Sequence, residues 1–190
     1  MVEDSLGLRA PLASGPLLGQ RPEQPVLLRG LDPGRPFSSR MAHEAGISKY
    51  ALSGMVASGQ LVRPFRGVYA VAGTADTMDF RVEAVRLVAP EGAVICDHTA
   101  AWLHGADLLP PAADRAVPPV QVFSKHPGNR VRLPDVDSGE RRLRDSDVVD
   151  IQGLRVTSAL RTTCDLGRIR DLPRALANVD GMLALRLFER

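Results

Sequence analysis

Asp97 and His98 in "VICDHTAAW", together with the acidic run Asp145, Asp147 and Asp150, are residues whose types could supply an acid–base pair or metal ligands. No motif organises them. The chain has no phosphate-binding GxxxxGK[ST] loop, GxSxG elbow, HExxH pair or carboxylate–lysine cluster. His43, His98, His104 and His126 lack ligand spacing, and His98 and His104, six apart, do not share a helix face. Cys96 and Cys164 stand far apart without a CxxC, which points to two reduced core thiols. Asp97 reads better as the N-cap of a helix, and the acidic run as loop charge. No catalytic residue, metal site or cofactor is expected, and the chain is not read as an enzyme.

Arginine offers a different chemistry. Among 190 residues there are 22 arginines and two lysines, so nearly every cation can present a fork to phosphate or guanine. The net charge is only +2, but it is unevenly spread. Residues 35–66 hold Arg35, Arg40, Lys49, Arg63 and Arg66 against Glu44 alone, a local charge of +4. Residues 125–144 hold Lys125, Arg130, Arg132, Arg141, Arg142 and Arg144 against Asp135, Asp137 and Glu140, a local charge of +3. The remainder sums to −5. Two cationic islands in an acidic background fit a polyanion held at two places. Ordinary solvated arginine is the alternative.

The first island falls on "SSRMAHEAGISKYALSGMVASG", two short helical patterns hinged at Gly46. Met41, Ala42 and Ala45 line one side of the first; Leu52 and Met55 line one side of the second, with Ile47 between them. Small alanines allow close approach, Gly46 supplies the sharp turn, and Ser48 caps the second helix. Ser48, Lys49, Tyr50, Ser53, Gly54 and Ala57 then face outward. This pattern resembles the helix-turn-helix of DNA-binding regulators, whose second helix enters the major groove; an αα-hairpin serving only a core is the alternative. "QLVRPFRGVYAV" follows as a tight hairpin resembling a wing, with Arg63 and Arg66 at its turn and Val62, Val68 and Tyr69 packing back on the helices.

The second island reads as strand, turn and strand over "KHPGNRVRLPDVDSGERRLR". Arg130 and Arg132 share a strand face, Lys125 and Asn129 flank the His-Pro-Gly turn, and Arg141 and Arg142 follow the turn at Ser138–Gly139. Such a basic β-ribbon can lie in a groove. Neutralisation by Asp135, Asp137, Asp145 and Asp147 is the alternative.

The elements around these islands give an α+β reading: a winged helix-turn-helix, then a small mixed α/β domain bearing the basic ribbon. Residues 1–34, rich in Pro, Gly and Leu, read as a flexible arm with a possible short helix in "EQPVLLRGL"; 35–73 form the winged unit and 74–190 the mixed domain. In the latter, "TADTMDFRVEAVRLVAPEGAV" has helical period, "VIC" and "VQVFS" are strands, and "DVVDIQGLRVTS" is a hairpin at Gln152–Gly153. Two helices capped by Ser158 and Asp171 close the chain. In the last, Leu172, Leu176, Val179, Leu183 and Leu187 form an apolar stripe expected to pack on its own domain rather than on a second copy. No apolar run spans a membrane and no basic-then-apolar leader opens the chain, so an intracellular, cytoplasmic protein is expected.

"AHEAGISKYALSGMVASGQLVRPFRGVYAV" resembles the N-terminal winged helix of type IV antitoxins of the AbiEi kind, and "VICDHTAAWLHG" and "IQGLRVTSALRTTCDL" resemble that family's middle region. Length and layout are also similar to the immunity repressors of temperate actinobacteriophages, mycobacteriophages among them. The resemblance implies a sequence-specific repressor of transcription. Its favoured form is a phage immunity repressor maintaining lysogeny. The other form is an antitoxin that autoregulates its operon and counters a nucleotidyltransferase toxin. Many antitoxin relatives carry an extension resembling a restriction-endonuclease fold; no D…ExK cluster occurs here, so that activity is not implied. The expected partner is double-stranded DNA at asymmetric operators, bound by a monomer through two unlike contact regions. Neither a membrane nor a small-molecule ligand is expected.

Overall fold

The computed structural model describes residue 28 and residues 30–108, 117–124 and 132–188. Strand β1 (Phe37–Ser38) runs into helix α1 (Ser39–Glu44), followed by α2 (Lys49–Ala57), β2 (Leu61–Val62) and β3 (Val68–Val71). The strands form an antiparallel sheet in the order β1-β3-β2. Ser38 Oγ accepts from the Met41 N–H and Ser48 Oγ from the Ala51 N–H, so each short helix starts with one of its free donors satisfied. Gly46 turns the chain between them at φ 79°, where a side chain would be strained. Phe37, Ala42, Ile47, Leu52, Leu61 and Tyr69 make the core, joined by Leu28.

The second unit contains α3 (Met78–Arg86), β4 (Val94–Ile95), α4 (Asp97–Leu103), β5 (Val120–Ser124), β6 (Val136–Glu140), β7 (Val148–Ile151), β8 (Leu154–Thr157), α5 (Ala159–Leu166) and α6 (Leu172–Ala184). Its sheet runs β6-β5-β4-β8-β7, with β5/β6 and β4/β8 parallel and the other pairs antiparallel. The fold is α+β with a winged-helix N-terminal unit, as the residue pattern indicates. The β7–β8 hairpin turns at Gln152 and Gly153, both at positive φ (49° and 83°), which is the twist a two-residue hairpin needs. Ser158 and Asp171 cap α5 and α6 by accepting from the Arg161 and Arg174 N–H groups.

The two units share a wall. Side chains alternate along β3, so Tyr69 enters the helix-turn-helix core while Val68 and Ala70 enter the larger core with Phe80, Val85, Ile95, Trp102 and Val122. Phe65, in the wing turn, packs edge-on against Trp102 with centroids 5.2 Å apart, and Phe80 meets the same indole at 6.5 Å. Arg81 lies over that ring at 5.1 Å, donates to the Trp102 carbonyl and forms a two-pronged pair with Asp76. Tyr69 packs on the helices as expected. Val62 and Val68 do not; they face the other core.

Four further expectations are corrected. The expected turn at Ser138–Gly139 lies inside strand β6, where both residues pair in parallel with β5, so Arg141, Arg142 and Arg144 do not follow a ribbon turn but leave the end of β6 in irregular chain. Arg132 precedes β6 and is also outside any strand, while Lys125, Asn129 and Arg130 lie outside the described residues. Helix α6 buries Ala175, Asn178 and Met182 and leaves Leu172 and Leu176 exposed, so its buried face is turned away from the leucine stripe, and Leu187, beyond the helix, is exposed too. Cys96 is buried, but Cys164 is exposed on α5. Asp97 does not cap α4: it is the helix's first residue, at φ 50°, and Cys96 occupies the cap position without a side-chain bond.

His98, on α4, sits beside Asn178 of α6 (Nε2 to Nδ2, 3.4 Å). Burial first, then the charge of Arg174, lower its pKa from 6.5 to about 4. Between these two values the unfolded chain binds a proton that the folded chain refuses, so stability is complete above the upper value and falls as pH drops through the window. The loss is on the order of 3 kcal/mol. We expect His98→Gln to flatten this acid limb in urea midpoints measured at either end of the window; an unaltered limb would contradict the assignment.

Candidate nucleic-acid interface

Helix α2 is anchored by one fully inward residue, Leu52, with Met55 and Val56 half-buried beside it. The opposite face holds Ser48, Lys49, Tyr50, Ser53, Gly54 and Ala57, all exposed as expected, with Tyr50 at 90%. No acidic residue lies in this helix. Among the described residues, Lys49 and Tyr50 have no hydrogen-bonding or ionic partner, so both are available to a ligand. Arg40, on α1, is 87% exposed but shares its charge with Glu44 at 2.8 Å, and Arg35 pairs with Glu83 of α3.

The wing is docked rather than free. The Arg66 N–H donates to the Pro118 carbonyl and its Nε to the Val117 carbonyl (2.9 and 3.1 Å). Gly67, at φ 72°, lies so close to Asp135 that an added Cβ would stand 2.6 Å from a carboxylate oxygen. The wing turn thus sits against the segment carrying Arg132. Arg63 lies with its guanidinium carbon 5.2 Å from the centroid of Tyr69, which itself stacks on Phe37 at 5.9 Å. Arg63 Nε is buried with no hydrogen-bond partner among the described residues. That atom is closed to solvent, so an incoming acceptor could meet Arg63 only through its Nη groups.

In the second region, Arg141 stacks on Phe123 at 4.7 Å and reaches Asp165 at 2.7 Å, with Asp97 at 3.9 Å. Burial holds the Asp97 carboxyl above the ordinary range, opposed by Arg141 and reinforced by Asp165. Burial also pushes the Cys96 thiol well up, reinforced by Asp97. Arg161 binds Asp165 and Asp147 at 2.9 and 3.0 Å, and the Asp165 hydrogen bond raises its pKa. Arg142, Arg161, Cys164, Asp165 and Arg168 join Arg141 around a cleft of about 650 Å³. The sequence reading missed Arg161 and Arg168. The signal for Arg161 was helical spacing, since it stands at i, i+4 to Asp165 on α5; Arg168 follows in the turn just past the helix end. Of the expected second-region contacts, Arg141 and Arg142 meet at this cleft, while Arg132, which precedes β6, does not line it. Among the described residues no group of His, Cys, Asp and Glu could hold a metal ion, and no helix is long and apolar enough to cross a membrane.

A winged helix-turn-helix is joined here to a mixed α/β unit. Residues 33–72 match the family described as transcriptional regulator, AbiEi antitoxin. Residues 93–187, half of the chain, match the AbiEi antitoxin C-terminal domain. The chain therefore belongs to the AbiEi antitoxin family. No curated protein matches it.

Stability separates the cap of α2 from its exposed face. Ser48→Ala removes the α2 cap bond and should cost about 1 kcal/mol in urea unfolding. Tyr50→Ala should stay within about 0.5 kcal/mol of the parent. A Tyr50→Ala loss as large as that of the cap variant would mean that the ring packs on the protein and is not held out for a partner.

Proposed function

We propose that the protein is a sequence-specific double-stranded DNA-binding repressor of transcription. The observation that carries this is the α2 face: small or polar, free of acid, with Lys49, Tyr50 and Ser53 fully presented and Leu52 fixing the helix from behind. A face of that size suits a major groove about 12 Å wide. Lys49, Tyr50 and Ser53 read base edges; Ser48, Arg40 and Arg63 contact the sugar-phosphate backbone. Arg66, spent partly on Val117, keeps its outer guanidinium donors for a phosphate. Arg141 and Arg142 form the second contact; Arg132, before β6, and Lys125, Asn129 and Arg130 are proposed as further phosphate contacts on their residue type and sequence spacing alone.

Within this function, the match to the antitoxin C-terminal domain favours a type IV antitoxin that represses its own operon and counters a nucleotidyltransferase toxin. The phage immunity repressor is the second reading. It is favoured by the docked wing, which ties two unlike basic surfaces into one body and suits a monomer on an asymmetric site. Co-expression with a nucleotidyltransferase encoded beside the gene separates them: restored growth supports the antitoxin, and no rescue with repeated asymmetric sites along a prophage supports the repressor.

Selection from genomic fragments at physiological salt tests the shared function. Wild type should enrich one motif, and Tyr50→Ala should change the preferred bases, each contacted base carrying about 1–3 kcal/mol. Arg63→Ala should lower the salt slope of binding by about one unit. An identical motif from Tyr50→Ala, or no enrichment by wild type, would overturn this assignment.

A further inference from the structure

We propose that the arginine cleft between the end of β6 and α5 is an oxyanion site that takes a phosphoryl group. The inference deepens the DNA-binding reading, and rests on it for one of two phosphate sources: a strand of the duplex or a free polyphosphate.

The cleft is lined by four guanidiniums, those of Arg141, Arg142, Arg161 and Arg168, against the single carboxylate of Asp165. That carboxylate is 2% exposed, and each of its oxygens is bound by a different arginine: Oδ1 by Arg141 at 2.7 Å and Oδ2 by Arg161 at 2.9 Å. Asp165 therefore acts on the two arginines rather than on an incoming anion. It aims them, with the Phe123 ring beneath Arg141 and Asp147 beside Arg161 completing their support. Each guanidinium has five donors and spends only some of them here. The rest stay in place without the ordering cost that a free surface arginine bears when it binds.

Arg142 and Arg168 differ from that fixed pair. The Arg142 carbonyl accepts from Arg161 Nη1 at 3.4 Å, which ties down its backbone, while its side chain has no partner among the described residues. Arg168, in the turn that follows α5, also has none. Two aimed cations and two unspent ones around a space of about 650 Å³ match an anion with several oxygens. Phosphate fits because its oxygens accept paired N–H bonds from guanidinium. The space lies within the range of small-ligand sites, so a free polyphosphate can enter as well as a strand backbone.

Cys164 supplies the readout. It lines the cleft and is exposed, whereas Cys96, the other thiol, is buried. Alkylation of Cys164 by uncharged N-ethylmaleimide is followed in the full chain at fixed ionic strength, with no addition, with inorganic triphosphate, and with duplex DNA carrying the selected motif. The expected result is slower alkylation with at least one phosphate source, and no protection by that source in the Arg142→Ala/Arg168→Ala variant. Neither side chain has a partner to lose, so the variant's melting temperature should match the parent's. Protection by the duplex alone assigns the site to the DNA backbone; protection by triphosphate alone assigns it to a free ligand. Should wild type bind no duplex, the DNA reading fails while the triphosphate arm still decides this proposal. Equal alkylation rates in all three solutions, or protection that persists in the double variant, would overturn it.

Discussion

Strand β3 is buried on both sides, and the remaining architecture follows from that. Tyr69 points into the helix-turn-helix core, and its neighbours Val68 and Ala70 point into the core beneath the larger sheet. A wing strand would ordinarily keep one face for its own helices and leave its turn in solvent. Here the turn is drawn in by Phe65, whose ring meets Trp102, and Gly67 lets the backbone approach Asp135 more closely than any side chain would permit. Trp102 in turn receives Phe80 and the guanidinium of Arg81, and Arg81 is neutralised by Asp76 with both side chains about nine-tenths buried. Removing either charge would strand the other in an apolar setting at a cost of about 3–5 kcal/mol.

A fixed junction changes what the basic residues can do. In an open wing, Arg63 and Arg66 would sample many positions and lose that freedom on binding. Here Arg66 is tethered to Val117 and Arg63 is laid across Tyr69, so both present donors from settled positions. The same junction sets the distance from α2 to the arginines beyond β6. A ligand touching both regions must match that distance, which is a constraint of shape in addition to charge.

Much of this was legible in the residues. The alanine-rich hinge at Gly46, the cap at Ser48 and the outward set on α2 follow from helical spacing, and the β7–β8 hairpin from Gln152–Gly153. The docking of the wing was harder to read. "VYAVA" is a continuous apolar run, which is the mark of a strand covered on both faces, but so short a run also fits one side of a hairpin. The α6 leucines misled for a related reason: the stripe is real, yet the helix packs through Ala175, Asn178 and Met182, at i, i+3 and i+7 on another face, and which face is buried is decided by the neighbouring elements. The parallel pairing of β5 with β6 is a long-range choice that no local pattern encodes, and it moved Arg141 and Arg142 from a supposed ribbon to the rim of a cleft with α5. Arg161 and Arg168 were hidden for the same reason, since only the tertiary fold brings α5 to that segment.

The central claim is that the winged unit and the mixed unit move as one body through β3 and Trp102. Backbone amide nitrogen relaxation in solution tests it most directly. Amides of α2, β2 and β3 should report the same overall tumbling as those of α4, β5 and β8. A separate, faster tumbling of the N-terminal strands and helices would contradict the account, because a wing docked as described leaves them no independent motion.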